Sequence, residues 1–364
     1  MKTVVAHFRS CYLNNTETFI YEYISKFKKT KAIFLANRSI NLDLFPFREL
    51  YVSDKYKNIF RNEFFFECIL KKHKARLIHA HFGPEGYKML GIKKKLKLPL
   101  ITSFYGFDMS KLAHERIWRA NYRLLFEEGD LFLVEGKHMQ KKLIALGCPY
   151  KKTRVQHLGV DVKKFICRKR ELKGKKIRIL FCGRFVEKKG LTYALRAVAS
   201  VFKKYPHIEF RIIGDGEMKS DIEELIDKLD MSGYVTLLGF QPNQVCAQEM
   251  QKTHILLQPS VVASNGDSEG GAPMVLLEAQ ASGVPVISTY HADIPEVVLE
   301  GEGGLLVPER DPGALVEKLK LLITNPRMRM QMGKAGRLHI EKNYNIYRQV
   351  EKIELLYGQL IANN

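Results

Sequence analysis

Residues 258–295 read QPSVVASNGDSEGGAPMVLLEAQASGVPVISTYHADIP, from Gln258 to Pro295. A short apolar run, His254–Gln258, feeds a polar, Gly-rich loop. A helix is predicted to start near Pro273, because proline is preorganised for the first helical position. A second apolar run, Val284–Ser288, follows at once. Strand, loop, helix and strand in this order make a βαβ unit, which requires a parallel sheet. In such sheets ligands bind outside the carboxyl ends of the strands. The loop N–H groups of Gly270 and Gly271 are therefore expected to point toward a ligand.

The same alternation runs outward in both directions. Before residue 165 the apolar runs are Thr3–Phe8, Ala32–Ala36, Leu77–Phe82, Leu98–Tyr105, Leu131–Glu135 and Arg154–Leu158, with helical patterns such as Thr16–Phe27 and Glu85–Leu96 between them. After it they are Ile177–Cys182, Ile208–Ile213, Val235–Phe240, His254–Gln258, Val284–Ser288 and Gly304–Val307. Pro312–Thr324, Arg327–Glu341 and Tyr347–Leu360 read as helices. The fold class is α/β, with two doubly wound, Rossmann-like parallel-sheet domains in tandem. The expected division is 1–165 and 166–345, with a basic linker at Lys163–Lys176 and a C-terminal helix, 346–364, packing back on the first domain. Two such sheets are expected to face each other across a cleft.

The 364 residues are 46% hydrophobic and 27% charged, an ordinary globular balance. No stretch approaches the ~20 uncharged apolar residues of a membrane span, and the N-terminal run is too short for a signal-peptide core. Six scattered cysteines without a Cys-x-x-Cys pair point to reduced thiols in a cytoplasmic protein and exclude a zinc framework. Charge is the unusual quantity. Residues 1–165 carry 32 basic and 15 acidic side chains, a net of +17, whereas 166–364 carry 27 and 24, a net of +3. The asymmetry suggests an anionic partner for the first half: membrane, nucleic acid or acidic substrate. A generally Lys-rich composition would account for the total charge, but the asymmetry counts modestly against it.

Gly183-Arg184-Phe185-Val186-Glu187-Lys188-Lys189-Gly190 follows the strand Ile177–Cys182 and opens a helix near Leu191. A glycine turn at a helix start presents free N–H groups. Arg184 and Lys189 add two cations, a set suited to a diphosphate, or simply two solvated surface charges. Gly214, in Ile212-Ile213-Gly214-Asp215-Gly216, and Gly239, in Leu238-Gly239-Phe240, end further strands. Each allows close backbone approach by a ligand, or forms an ordinary βα turn. Glu269 lies just before the predicted helix and Glu278 one to two turns inside it. Such carboxylates can accept hydrogen bonds from sugar hydroxyls. They can equally serve the helix dipole or a neighbouring helix end.

Together these segments resemble the family 4 retaining glycosyltransferases, which act on nucleotide sugars with the GT-B fold. Glu278-Ala279-Gln280-Ala281-Ser282-Gly283-Val284-Pro285-Val286-Ile287 resembles the family's "E-A-x-A-x-G-x-P-V-I", Gly183–Gly190 its "G-R-x-x-x-x-K-G", and Gly159-Val160-Asp161 through Phe165 its "G-V-D-x-x-x-F". Thr16-Glu17-Thr18-Phe19-Ile20, His79-Ala80-His81-Phe82-Gly83 and Phe104-Tyr105-Gly106-Phe107-Asp108 resemble the branch that builds exopolysaccharides, including colanic acid. Two departures stand out. Eight residues separate Glu269 from Glu278 where the family has seven, so a loop bulge is expected at Gly270-Gly271-Ala272. Tyr105 stands where many members have His.

The resemblance implies a role for each position. Arg184 and Lys189, with Gly183, would hold the donor diphosphate and stabilise the leaving nucleotide. Glu278 would bind the ribose. Glu269, Gly270, Gly271, Ala272 and Val275 would contact the donor hexose, with Gly214 and Gly239 lining the donor site. His81, Tyr105 and Asp108 would line the sugar and acceptor side. No Asp-x-Asp is present, so no metal and no cofactor beyond the nucleotide-sugar substrate is expected; UDP ranks ahead of GDP as the donor base. The expected acceptor is a saccharide, lipid-linked, presented at the inner face of the cell membrane, against which the basic first domain would lie as a peripheral protein. Phe60, Phe64, Phe65 and Phe66 would add an apolar contact there, unless they are core. The rivals are an epimerase, a catalytically inactive nucleotide-sugar-binding relative, and a basic nucleic-acid-binding protein. No zinc-finger spacing or RNP motif supports the last, and nucleic acid is not expected as a partner.

Overall fold

A computed structural model of the chain describes residues 2–53, 59–168 and 176–363, with side chains of 59–61 left out. The chain divides into two compact units, Met1–Gly159 with Ile346–Asn364, and Val160–Asn345.

In the first unit the strands are β1 (Thr3–Phe8), β2 (Thr30–Ala36), β3 (Leu50–Val52), β4 (Leu77–His81), β5 (Leu100–Ser103), β6 (Leu131–Val134) and β7 (Thr153–Val155). They form one sheet in the order β3-β2-β1-β4-β5-β6-β7, and every pairing is parallel. β3 was not expected. Only three residues long and half-buried, it forms on the sheet edge by pairing Leu50–Val52 with Phe34–Ala36. The expected helix Glu85–Leu96 is two helices, Gly83–Lys88 and Leu90–Leu96.

In the second unit the strands are β8 (Ile177–Cys182), β9 (Ile208–Ile213), β10 (Val235–Leu237), β11 (Ile255–Gln258), β12 (Val286–Thr289) and β13 (Gly304–Val307). Their order is β10-β9-β8-β11-β12-β13, again all parallel. β11, β12 and β13 are buried along their whole length, as strands covered on both faces are. Helix Leu191–Phe202 buries Leu191, Ala194, Leu195, Val198 and Val201 against one face. Each sheet reverses its winding where the first strand of the unit meets the fourth, β1 beside β4 and β8 beside β11. Those two switch points are where a doubly wound sheet accepts ligands.

The first unit ends six residues before the expected boundary at 165. Val160–Phe165 belongs to the second unit because the Val160 N–H donates to the Tyr344 carbonyl at 2.8 Å, and Arg337 donates to the carbonyls of Phe165 and Val162 at 2.7 and 3.1 Å. Of the expected linker Lys163–Lys176, residues 169–175 lie outside the described residues. Helix Ile346–Ala362 packs on the first unit. Its stripe Ile346, Val350, Ile353 and Tyr357, at helical spacing, joins Val5, Leu77, Ile101 and Leu133 in one core cluster. Burying each such Val or Ile stabilises by about 1.5–3 kcal/mol.

Candidate active site

In the second unit, two loops flank the switch point. Gly183–Gly190 leaves β8, and 259–273 leaves β11. Gly190 has φ 68°, and a Cβ there would meet the Pro259 carbonyl oxygen at 1.8 Å, so the first loop turns into its helix only because this residue is glycine. Gly214 is held as tightly: a Cβ would lie 1.9 Å from the Gly183 carbonyl oxygen. Gly239 accepts from the Gly214 N–H at 2.9 Å.

Lys189 Nζ donates to Glu269 Oε2 at 2.8 Å, and Ser260 Oγ donates to Glu269 Oε1 at 2.8 Å. Burial alone raises the Glu269 carboxyl pKa, but Lys189, Lys188 and the Ser260 hydroxyl outweigh it and hold it below the ordinary value. Arg184, by contrast, is exposed and has no ion-pair partner among the described residues. Glu278 is buried on helix Met274–Ala281, and its Oε1 accepts from Asn243 Nδ2 at 3.2 Å at the start of helix Asn243–Lys252. Lys189 and Glu278 both act electrostatically on Cys182, the last residue of β8. Lys189, Glu269 and Glu278 therefore gather at one strand end, and Arg184 lies on the loop that leaves it. Val275 is buried in the same helix and Ala272 is half-buried before it.

Two details differ from expectation. Pro273 is extended (ψ 132°) and caps the helix, which begins at Met274. The amides of Gly270 and Gly271 are turned into the loop: Gly271 donates to the Glu269 carbonyl at 3.0 Å and Gly270 to Ser268 Oγ at 3.5 Å. The chain reverses at Gly270, φ 76°. That tight turn takes up both donors and leaves the Glu269 carboxylate on Lys189.

Sequence reasoning missed the residues that hold this loop. Lys188 is buried and donates to Asp267 Oδ1 at 3.0 Å and to the Ser268 carbonyl at 3.1 Å. Burial lowers its pKa, against the raising effect of Glu269 and Asp267. His291 Nε2 meets the Glu269 N–H at 3.3 Å and Ser268 Oγ at 3.2 Å, and its Nδ1 lies 2.6 Å from Glu309 Oε1. The Lys188-Lys189 doublet was the one signal in the sequence that could have pointed to the first of these.

In the first unit, register sets His7 beside His79 on β1 and β4, and His81 follows two residues later on the same face. His7 Nδ1 meets His81 Nε2 at 3.0 Å, and His81 Nδ1 meets the Tyr105 hydroxyl at 2.8 Å. His79 bridges the Tyr357 hydroxyl, at 2.6 Å, and Ser103 Oγ, at 2.8 Å. Burial drives the His7 pKa down to about 3 and those of His79 and His81 well below the ordinary value. The three rings are neutral at physiological pH. Among the described residues this trio is the one His, Cys or carboxylate group whose donor atoms lie close enough for a metal, within 4.8 Å. Five of its six ring nitrogens are already hydrogen-bonded, only His7 Nε2 being unpartnered. The adjoining cavity, about 30 Å³, has room for a water.

Asp108 is fully buried. Its carboxylate accepts from the N–H groups of Gly83, Tyr105 and Gly106 at 2.9, 3.1 and 3.0 Å. It fixes the loop that carries Tyr105. Burial raises its pKa to about 6 in spite of those donors. Tyr105 is itself held neutral, its pKa pushed well up by burial. Glu17 of the Thr16–Ile20 segment is also an anchor, bound by Arg9 at 3.0 Å, with Arg9 reaching on to Glu85 at 2.7 Å.

Phe66 is buried in the core, Phe65 half-buried and Phe64 65% exposed; the Phe60 side chain lies outside the described residues. Lys93, Lys94 and Lys95 are paired with Asp130, Glu128 and Glu67. Helix Arg116–Glu128 shows solvent Arg116, Arg119 and Arg123 beside Ile117, 69% exposed, and Leu124. Among the described residues no helix is long and apolar enough to cross a membrane.

Residues 162–339 match the family model "Glycosyl transferases group 1" and residues 29–164 match "Glycosyltransferase Family 4". The amylovoran biosynthesis glycosyltransferase AmsK of Erwinia amylovora is 33% identical over 288 residues, 78% of this chain and 70% of the relative. The putative colanic acid biosynthesis glycosyltransferase WcaL of Escherichia coli is 33% identical over 68% of this chain, which spans 61% of that relative's length. Among solved structures, HepE of Anabaena in complex with UDP and glucose matches with a TM-score of 0.83 at 14% identity, over 98% of this chain and 100% of that one. Sucrose-phosphate synthase from Thermosynechococcus elongatus matches with a TM-score of 0.78 at 17% identity, over the whole of both chains. These likenesses show the GT-B fold. The chain belongs to the group 1 and family 4 glycosyltransferases.

Proposed function

We propose that this glycosyltransferase moves a hexosyl group from a nucleotide sugar, UDP-linked ahead of GDP-linked, to a saccharide acceptor, with retention of configuration, in the assembly of a cell-surface polysaccharide. The observation that carries the reading is the pairing of Lys189 with Glu269, on the loop that also carries Arg184, at the β8–β11 switch point. One end of that constellation is cationic and suits a diphosphate. The other is a carboxylate that suits sugar hydroxyls.

Arg184 takes the diphosphate through its planar fork. An ammonium has three N–H donors, so Lys189 shares itself between phosphate oxygen and Glu269. Both cations stabilise the charge that develops on the departing nucleotide, and for that role no metal or other cofactor is needed. Glu278 accepts from the ribose hydroxyls. Glu269 accepts from the hexose and, pinned by Ser260 and Lys189, orients it. Val275 and Ala272 flank the donor. On the first unit, the neutral Tyr105 hydroxyl, backed by His81 and positioned by Asp108, serves the acceptor. The leaving β-phosphate accepts the acceptor's proton, so no side-chain base is required.

The relatives named for amylovoran and colanic acid biosynthesis support an exopolysaccharide role. We place the acceptor on a lipid carrier and the protein at the inner face of the membrane, held through its basic first unit. Nucleic acid is not a partner in this reading.

A thermal-shift panel of UDP- and GDP-hexoses tests it, followed by NMR of the product formed on an oligosaccharide acceptor. Stabilisation by one nucleotide sugar, transfer that survives EDTA, and a retained anomeric configuration are expected. An inverted product, or activity lost to EDTA and restored by Mn²⁺, overturns the mechanism. The absence of any nucleotide-sugar response overturns the function.

A further inference from the structure

Glu309 and His291 stand outside the donor-contacting set, yet both close on the loop that carries Glu269. Glu309 Oε2 accepts from the Val262 N–H at 2.8 Å, and Glu309 Oε1 lies 2.6 Å from His291 Nδ1. On the far side of the ring, His291 Nε2 receives the Glu269 N–H at 3.3 Å, with Ser268 Oγ at 3.2 Å. A backbone N–H can only donate, so Nε2 is the unprotonated nitrogen. Nδ1 therefore carries the proton and gives it to Glu309. One carboxylate thus holds the start of the loop directly and its end through an imidazole. The His291 side chain is 1% exposed, and the Glu309 side chain 26%, so the imidazole is shielded from water while the carboxylate keeps one edge in it. Arg310, next in the chain, reaches Glu187 at 3.5 Å, and Glu187 in turn accepts from the Ser264 N–H at 2.8 Å, fastening the loop tip.

We infer that Glu309 and His291 form a latch that sets the position of Glu269, with His291 as a positioning residue for the donor sugar. The inference rests on the proposed donor site, but the latch is a property of the loop and can be observed without a donor. Glu278 is not part of it. Loss of the latch should therefore weaken recognition of the sugar and spare recognition of the nucleotide.

The test combines spectra, hydrogen exchange and binding. In the wild type, ¹⁵N NMR of the His291 ring is expected to show the Nδ1–H tautomer. In His291→Phe, which keeps the ring's bulk but cannot accept, amide exchange at 268–271 should rise while β11 and β12 stay protected. Affinity for UDP-glucose or GDP-mannose should fall on the order of tenfold, as for one lost buried hydrogen bond. Affinity for free UDP or GDP should not change. His291→Gln, whose amide oxygen can take the place of Nε2, should recover part of the loss and serves where the Phe variant folds poorly. An Nε2–H tautomer, unchanged exchange in both variants, or equal loss of nucleotide and nucleotide-sugar affinity overturns the latch. If no nucleotide sugar binds the wild type, the donor-site reading fails, and the tautomer and exchange results still decide the latch.

Discussion

Lys189 and Glu269 meet at 2.8 Å although they stand eighty positions apart in the chain, and the contact ties the loop after β8 to the loop after β11. Arg184, on the same loop as Lys189, makes no such pairing among the described residues. The two cations therefore differ in what their removal does. Arg184→Ala should leave the melting temperature unchanged and slow transfer by about 10²–10³, the usual cost of deleting a contact to developing charge. Lys189→Ala should slow transfer as much and also destabilise the second unit, since breaking a buried pair strands a carboxylate at about 3–5 kcal/mol. Calorimetric melting and initial rates check both. Equal stability loss in the two variants would contradict the geometry.

Glu278 and Glu269 should separate in a binding experiment. Glu278 is bound to Asn243 at a helix start and takes no part in the Lys189–Glu269 hydrogen bond. Glu278→Gln is expected to weaken free UDP or GDP by on the order of tenfold, because one ribose acceptor becomes a donor. Glu269→Gln should leave free nucleotide binding intact and reduce turnover. Titration calorimetry and kcat decide the matter, and the opposite pattern would reverse the two roles.

Much of this was legible from contiguous sequence. The strands Thr3–Phe8, Ile177–Cys182, Ile208–Ile213 and Gly304–Val307 lie where their apolar runs place them, because their buried residues stay close together even where Arg178, Glu209 and Arg211 interrupt them. Leu50–Val52 was not legible, since its three residues become a strand only through β2. Arg184, Lys189 and Glu269 stood in motifs that one loop carries whole. His291 and Glu309 did not: their contacts span 18 to 47 positions, and no periodicity marks a turn that reaches back across a sheet. Asp108 was visible as a residue, but its three backbone partners were not, because a side chain that satisfies loop amides looks in sequence like one that faces a ligand.

Asp108 gives a prediction in pH. Burial raises its folded pKa to about 6 from an ordinary 3.8. The folded state then holds more protons than the unfolded state between those values, so this group's stabilisation is complete below about pH 4 and is lost as pH rises through about 6. The change is of order 3 kcal/mol. Asp108→Asn should flatten that part of the stability curve. It should also lower stability at neutral pH by roughly 1–3 kcal/mol, since its amide NH₂ would face a backbone N–H. Urea unfolding across that pH range measures both, and an unchanged slope in the variant would assign the linkage elsewhere.

Vesicle binding tests the charge asymmetry. The net charge of +17 on residues 1–165 does not translate directly into free surface charge, because Lys93, Lys94 and Lys95 are each paired with an acid. The unspent charge with apolar neighbours lies on helix Arg116–Glu128, where Arg116, Arg119 and Arg123 accompany Ile117 and Leu124, against exposed Glu115 and Glu127. Phe64 is the one described member of its aromatic run that is largely exposed; Phe66 is core. Each Lys or Arg near an anionic surface contributes about 1 kcal/mol, so three arginines are worth roughly a hundredfold in partitioning. The whole protein should therefore co-sediment with phosphatidylserine or cardiolipin vesicles and be released by added salt, as the Debye length shrinks. A variant with Arg116, Arg119 and Arg123 replaced by Gln should lose most of that binding while keeping its fold and its donor affinity. Phe64→Ser should weaken binding in a manner that salt does not mimic. Binding that survives the triple substitution unchanged would move the contact off this helix, and no binding by the wild type would leave the excess charge as a matter of composition.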